Sequence, residues 1–177
     1  MGACKRPGVI LRVMERIERR LVTGSLAGAL STIVMSAFML AAERLGWLTE
    51  QAPETVTRRS VKLATGSRIR GTKLHALTVI LHLGFGAASG ALYAAIPGKP
   101  RKPALASGLT GALYATVVWF VSYWGFLPGL GLMPPVSEDE RRRPLVMLLA
   151  HWLYGGALGL LVAARAERPH RPGAGNA

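Results

Sequence analysis

Residues 82–95 read HLGFGAASGALYAA and residues 151–164 read HWLYGGALGLLVAA. At a shift of 69 the two stretches are identical at seven of fourteen positions, including His82 with His151, Gly86 with Gly155, Gly90 with Gly159 and Ala94 with Ala163. Segments drawn from a pool rich in Ala, Gly and Leu would agree at roughly two such positions, so the match marks an internal repeat. A weaker match pairs Leu26, Gly28, Ala29, Leu30 and Val34 with Leu109, Gly111, Ala112, Leu113 and Val117 at a shift of 83. The 14-residue difference between the shifts is the extra length of the connection inside the first unit. The chain therefore reads as two tandem two-helix units in the same orientation, related by a pseudo-two-fold axis along a membrane normal.

The membrane enters through the distribution of charge. Half of the residues are hydrophobic, yet the formal net charge is +13. All 31 charged residues fall outside four runs, 21–42, 74–96, 104–127 and 145–164. Each run has the roughly 20 residues needed to cross about 30 Å of hydrocarbon as a helix. The eleven prolines also lie outside them, as suits helices that must satisfy their own backbone groups in lipid. The expected fold is all-α: an integral membrane four-helix bundle built from two tandem two-helix repeats, with short amphipathic helices. The organisation is a basic amphipathic segment over 1–20, a four-span domain over 21–164 and a flexible tail over 165–177.

Lys and Arg flank the spans, where they match anionic headgroups, so the basic balance points to the lipid bilayer as partner and away from nucleic acid. Cys4 is the only cysteine, which leaves no disulfide framework or thiolate metal site. Twenty residues precede the first apolar run, and that run is too long for the core of a signal peptide, so it reads as a retained first helix. Ahead of it, Ile10, Val13, Met14, Ile17 and Leu21 recur at helical spacing opposite Arg12, Glu15, Arg16, Arg19 and Arg20. This is either an interfacial helix on the headgroups or a solvated extension of the first span.

In the first connection, Pro53 near a start and Gly66 past an end predict a short amphipathic helix over the bundle mouth, with Val56, Leu63 and Ala64 on one side. Residues 97–103 form a tight basic turn between the second and third spans. With the N-terminus cytoplasmic, twelve Lys and Arg lie inside and ten outside. The expected orientation therefore has both termini in the cytoplasm of a bacterium, around its inner membrane.

Small residues explain how such spans associate. Gly24, Gly28, Thr32 and Ser36 form a stripe on the first helix, Ser107, Gly111 and Ala115 on the third, and Gly86 with Gly90 and Gly155 with Gly159 on the others. In lipid, close backbone approach along such stripes drives packing within a chain or in a homo-oligomer.

His82 and His151 are the candidate polar or ligand site. Both lie within spans, roughly 10 Å below one surface, and ionisable groups there usually face the bundle interior or a wet cavity. Two parallel histidine-bearing helices could hold a b-type haem between imidazoles, a divalent metal or a proton-relay pair. Equally open is a neutral histidine on each helix, bonded to a hydroxyl or a backbone carbonyl. No Cys, Asp or Glu stands at ligand spacing beside them, so no metal site is assigned.

Trp47, Tyr123, Trp124, Phe126, Trp152 and Tyr154 gather toward one side as interfacial anchors, while Tyr114 and Trp119 are expected to pack on glycine faces. Ser137 to Glu140 matches a capping box, with Arg141, Arg142 and Arg143 complementing the dipole at the far end of a short turn. The common hydrolase, nucleotide-binding and zincin signatures do not occur, so no catalytic residue is assigned.

The stretch Gly129, Leu130, Gly131, Leu132, Met133, Pro134, Pro135, followed by His151, Tyr154 and Gly155, resembles the YagU-like proteins of bacterial inner membranes and their actinobacterial-type relatives. The segment from His82 to Ala88 with Leu92 and Tyr93 is the other point of likeness. The resemblance implies a multi-pass helical protein without established catalytic residues. The expected function is that of a non-enzymatic structural, stress-related or transport-associated membrane component, without a cofactor. The alternative is a redox subunit holding haem or quinone near His82 and His151.

Overall fold

The computed structural model describes residues 7–96 and 103–166, all of whose long elements are helices. They are α1 (Pro7–Arg44), α2 (Ala52–Thr65), α3 (Gly71–Ala95), α4 (Ala104–Phe120) and α5 (Arg143–Ala166). A π-helical segment, Val121–Phe126, and one last turn, Leu127–Gly129, prolong α4. Four of these helices are long and apolar enough to cross a membrane: Val9–Arg44, Gly71–Ala95, Ala104–Gly129 and Arg143–Arg165. Most of the 97–103 turn, and the tail beyond Ala166, lie outside the described residues.

Leader and first span are one helix, without a break at residue 20 or 21. It ends where Gly46 takes φ +72° and the Trp47 amide donates to the Ala42 carbonyl at 2.9 Å, a left-handed cap that only glycine enters freely. The short amphipathic helix of the first connection is α2. Pro53 stands in its first turn, and Gly66, at φ +70°, closes it by donating to the Lys62 carbonyl. Its inward face is the expected one only at Val56, which packs on the core: Ala52, Thr55 and Thr57 are buried beside it, whereas Leu63 is 67 % exposed and Ala64 lies outside with it. Threonines satisfied by their own backbone are readily buried. Thr57 Oγ1, for example, donates to the Pro53 carbonyl at 2.8 Å.

The bundle is tapered. Along α3 the row Thr78, His82, Gly86, Gly90, Ala94 advances in steps of four, and along α5 so does Met147, His151, Gly155, Gly159, Ala163. Facing them are Gly24, Gly28, Thr32 on α1 and Ser107, Gly111, Ala115, Trp119, Tyr123 on α4. At the small ends the backbones touch. A Cβ on Gly28 would land on the Gly86 carbonyl oxygen, and one on Gly111 would land on that of Gly155. The two contacts recur at matching places: a Cβ on Gly90 would strike the Gly24 carbonyl, and one on Gly159 that of Ser107. Toward α2 the rows swell to histidine, methionine and aromatic side chains, so the helices separate.

Helix α1 packs on both α3 and α5, and α5 packs on α4. Met39, Leu158, Ala115 and Ala150 are sealed between them. The buried hydroxyls of Ser31 and Thr32 donate to the Ala27 and Gly28 carbonyls at 2.8 Å, so these residues enter an apolar core without orphaned groups. The outer surface keeps Leu30, Ile33, Ile80, Leu92, Leu113 and Val117 exposed, an apolar surface compatible with a lipid environment.

Candidate functional site

Helices α3 and α4 do not pack backbone to backbone. Tyr93 and Tyr114 bridge them, with ring centroids 5.1 Å apart. Tyr114 Oη donates to the Ser89 carbonyl at 2.8 Å. Beyond that bridge, toward α2, a cavity of about 400 Å³ opens between the two helices, and both His82 and His151 line it. Its roof is the inner face of α2 from Ala52 to Ser60, and its floor is Ser89, Gly86 and Tyr154. Leu81, Phe85 and Phe126 line the cavity and are also 47, 57 and 61 % exposed, so its side is continuous with the outer apolar surface.

Among the described residues, the lining contains no carboxylate, amine, guanidinium or thiol. Against this apolar wall stand three buried polar atoms without a hydrogen-bond partner: Thr78 Oγ1, His82 Nε2 and Trp119 Nε1. Leaving such a group unpaired costs about 1–3 kcal/mol. Each of the three is closed off from the cavity space by neighbouring atoms. His151 is held differently, its Nδ1 lying 2.7 Å from the Met147 carbonyl. A carbonyl only accepts, so Nδ1 carries the proton, and a neutral ring then presents a lone pair at Nε2. Among the described residues no three His, Cys, Asp or Glu gather at metal-binding range. The described lining also supplies no Lys or Arg to face the propionates of a haem.

The aromatic residues correct the sequence expectation in two places. Tyr123 and Tyr154 are not interfacial anchors: they are 3 and 4 % exposed, because each sits on the inward row of its helix. Trp119 and Tyr114 do not lie on glycine faces. Trp119 stacks on Tyr123 at 5.8 Å and 14° as a cavity wall, since it continues the Ser107, Gly111, Ala115 row where the helices have already parted.

The acidic segment is also arranged differently. Ser137 caps nothing; Val136–Glu138 is a 3-10 turn preceded by Pro135. Arg143 opens α5 rather than ending a turn, and its buried guanidinium pairs with Asp139 at 3.0 Å and Glu140 at 2.9 Å. It also donates to the Glu50 carbonyl at 3.3 Å. Asp139 accepts from the Tyr123 hydroxyl as well, and Thr49 bonds Glu140 through its hydroxyl. The cluster thus ties the start of α2, the π-helical end of α4 and the start of α5 around the cavity mouth. Burial works to raise the Glu50 carboxyl pKa, but the Thr55 hydroxyl, Arg58 and Arg143 together hold it below its ordinary 4.5.

Sequence reasoning found the histidines through the repeat and missed the places that Thr78, Trp119, Tyr123, Asp139 and Arg143 take around them. The first three lay on the same rows, Trp119 one step and Thr78 and Tyr123 two steps beyond the small residues. A family model described as a family of unknown function, DUF6789, matches residues 18–172. The chain belongs to that family. The DUF6789 match takes in all four long helices except the first residues of α1, and so the whole cavity. No curated protein and no solved structure matches the chain.

Proposed function

We propose that this DUF6789 chain is an integral membrane protein that takes a lipid-soluble small molecule from the bilayer into its bundle, as a non-enzymatic, transport-associated component. The observation that carries the reading is the cavity between α3 and α4: largely apolar, with a few hydroxyl and imidazole groups and no charged side chain among the described lining residues, and continuous with the outer face through Leu81, Phe85 and Phe126. Pockets of a few hundred Å³ lined by aromatic and aliphatic side chains with a few polar groups are the usual form of small-molecule sites.

Two tandem two-helix units are the parsimonious source of the bundle, supported by the matched glycine contacts Gly28 to Gly86 and Gly111 to Gly155. The proposed setting is a bacterial inner membrane with both termini cytoplasmic, supported by the surplus of Lys and Arg on that side, and kinship with YagU-like proteins follows from the resemblance. Association into a homo-oligomer would use the exposed apolar faces.

The test is mass spectrometry of organic extracts from protein isolated in native-membrane discs, beside a Val118→Trp variant that fills the cavity. About one lipophilic molecule per chain, enriched over bulk lipid and lost in the variant, is expected. Identical extracts from both proteins would overturn the reading.

A further inference from the structure

The seam between α3 and α4 has a counterpart elsewhere in the bundle. Under the alignment shifts of 69 and 83, α3 corresponds to α5 and α4 to α1, so this seam corresponds to the contact of α5 with α1. That contact is packed, whereas α3 and α4 stand apart. The row of α4 that looks toward α3 is Thr110, Tyr114, Val118, Ser122, in steps of four, and Tyr114 is its one large member. The counterpart of Tyr114 in α1 is Ser31, which is fully buried. On α3, Tyr93 stands where α5 carries Val162. In lipid, small residues let helix backbones approach and gain dispersion contacts, so two tyrosines placed in such a seam set its width.

The two tyrosines cross the seam in opposite directions. Tyr114, rooted on α4, donates its hydroxyl to the Ser89 carbonyl of α3 at 2.8 Å, and its ring tilts against that of Tyr93. Tyr93, rooted on α3, places its hydroxyl 3.4 Å from Thr110 Oγ1 of α4. Each ring is thus fixed at both ends. Beyond them, toward α2, the α4 row continues with Val118 and Ser122, which line the cavity together with Leu81 and Phe85 of α3. The α1 counterparts of Val118 and Ser122 are the longer Met35 and Met39, both buried in the core. We propose that Tyr93 and Tyr114 are the positioning residues of the cavity, crossed struts that hold α3 off α4 and so create the space. Their bearing on ligand uptake rests on the cavity being a small-molecule site; their bearing on helix separation does not.

The experiment measures spin-label distances in the full chain in lipid nanodiscs, on a Cys4→Ser background. One pair of labels replaces Val79 of α3 and Phe120 of α4, and a control pair replaces Ile33 of α1 and Leu153 of α5, all four exposed. Binding of decylbenzene above that of Val118→Trp is measured on the same variants without labels. Tyr93→Val with Tyr114→Ser installs the residues of the α5 and α1 contact. The α3 to α4 distance is then expected to shorten by about 2 Å, since interaxial separations of roughly 8–10 Å follow the side chains at the contact. The control distance should stay, and decylbenzene binding should weaken about tenfold. Tyr114→Phe keeps the ring and loses only the hydroxyl bond, so it should retain the distance and the binding of the parent. Tyr114→Ser alone should give a smaller shortening, and it keeps the test informative if the double variant fails to fold. An unchanged α3 to α4 distance in the serine variants would overturn the strut assignment, as would equal shortening in Tyr114→Phe. Shortening in the serine variants with no decylbenzene bound by the parent would uphold the struts and overturn the small-molecule reading.

Discussion

The Tyr154 hydroxyl donates to the Gly86 carbonyl at 2.8 Å, crossing from α5 to α3 beneath the two histidines. It joins the two repeated segments at the level where close packing gives way to the cavity. Gly86 and Gly155, the residue next to Tyr154, align in the matching stretches 82–95 and 151–164, so the bond links those two stretches directly.

Removing that bond alone is expected to be modest in cost. The Gly86 carbonyl lies in the interior of α3, so it retains a helix partner in Tyr154→Phe. The loss should therefore be about 1 kcal/mol, read as a small fall in the unfolding midpoint in mixed micelles. A loss several times larger would mean that the hydroxyl organises the cavity floor as a whole.

Glycine substitutions should divide sharply by location. Gly28→Ala and Gly111→Ala place a methyl on a facing backbone carbonyl. Each is expected to cost about 3 kcal/mol, at the upper end of overpacking, because backbone rather than a rotatable side chain must move. Gly84 and Gly156 have open space where a Cβ would go, and their alanine variants should stay within about 1 kcal/mol of the parent. Parallel thermal unfolding of the four proteins checks the contrast.

Arg143 is buried with Asp139, their side chains 8 and 2 % exposed. Arg143→Met strands the carboxylates, and the expected loss is about 3–5 kcal/mol. Arg143→Lys should recover only part of it, since a single ammonium cannot reproduce the fork shared among Asp139, Glu140 and the Glu50 carbonyl. Denaturant titration of the three proteins distinguishes a charge requirement from a geometric one.

Acid should loosen α2 first. With its pKa held below 4.5 in the folded chain, Glu50 contributes stability above its unfolded value that is lost as pH falls through the folded one. Protection factors of the amides at the start of α2, which correct for the intrinsic pH dependence of exchange, should therefore fall below about pH 4.5 relative to neutral pH, by a margin smaller in Glu50→Gln. An identical acid response in the variant would assign the effect to other carboxylates.

Much of this arrangement was legible in the residues. Uncharged runs marked the long helices, because charge is expelled from apolar spans wherever it falls in the chain. Pro53 and Gly66 marked α2 through backbone chemistry that is local. The repeat singled out His82 and His151. What stayed hidden depends on the distance between helices. Trp119 and Tyr123 extend a small-residue row, and nothing local tells whether an aromatic there packs, anchors or lines a void. Arg143 read as one of three arginines complementing a short turn, because nothing local shows that it is buried or that the Glu50 carbonyl, 93 residues away, meets it.

The taper turns α3 into a lever. Gly90 is locked against Gly24 and Gly28, while Thr78 lies twelve residues along the same helix, roughly 18 Å away at 1.5 Å per residue. A rotation of about 5° at the locked end would move Thr78 by roughly 1.5 Å, about half the width of a water molecule. The glycine end is thus a fulcrum: it holds its own separation fixed and leaves the width of the entrance to be set by whatever lies inside.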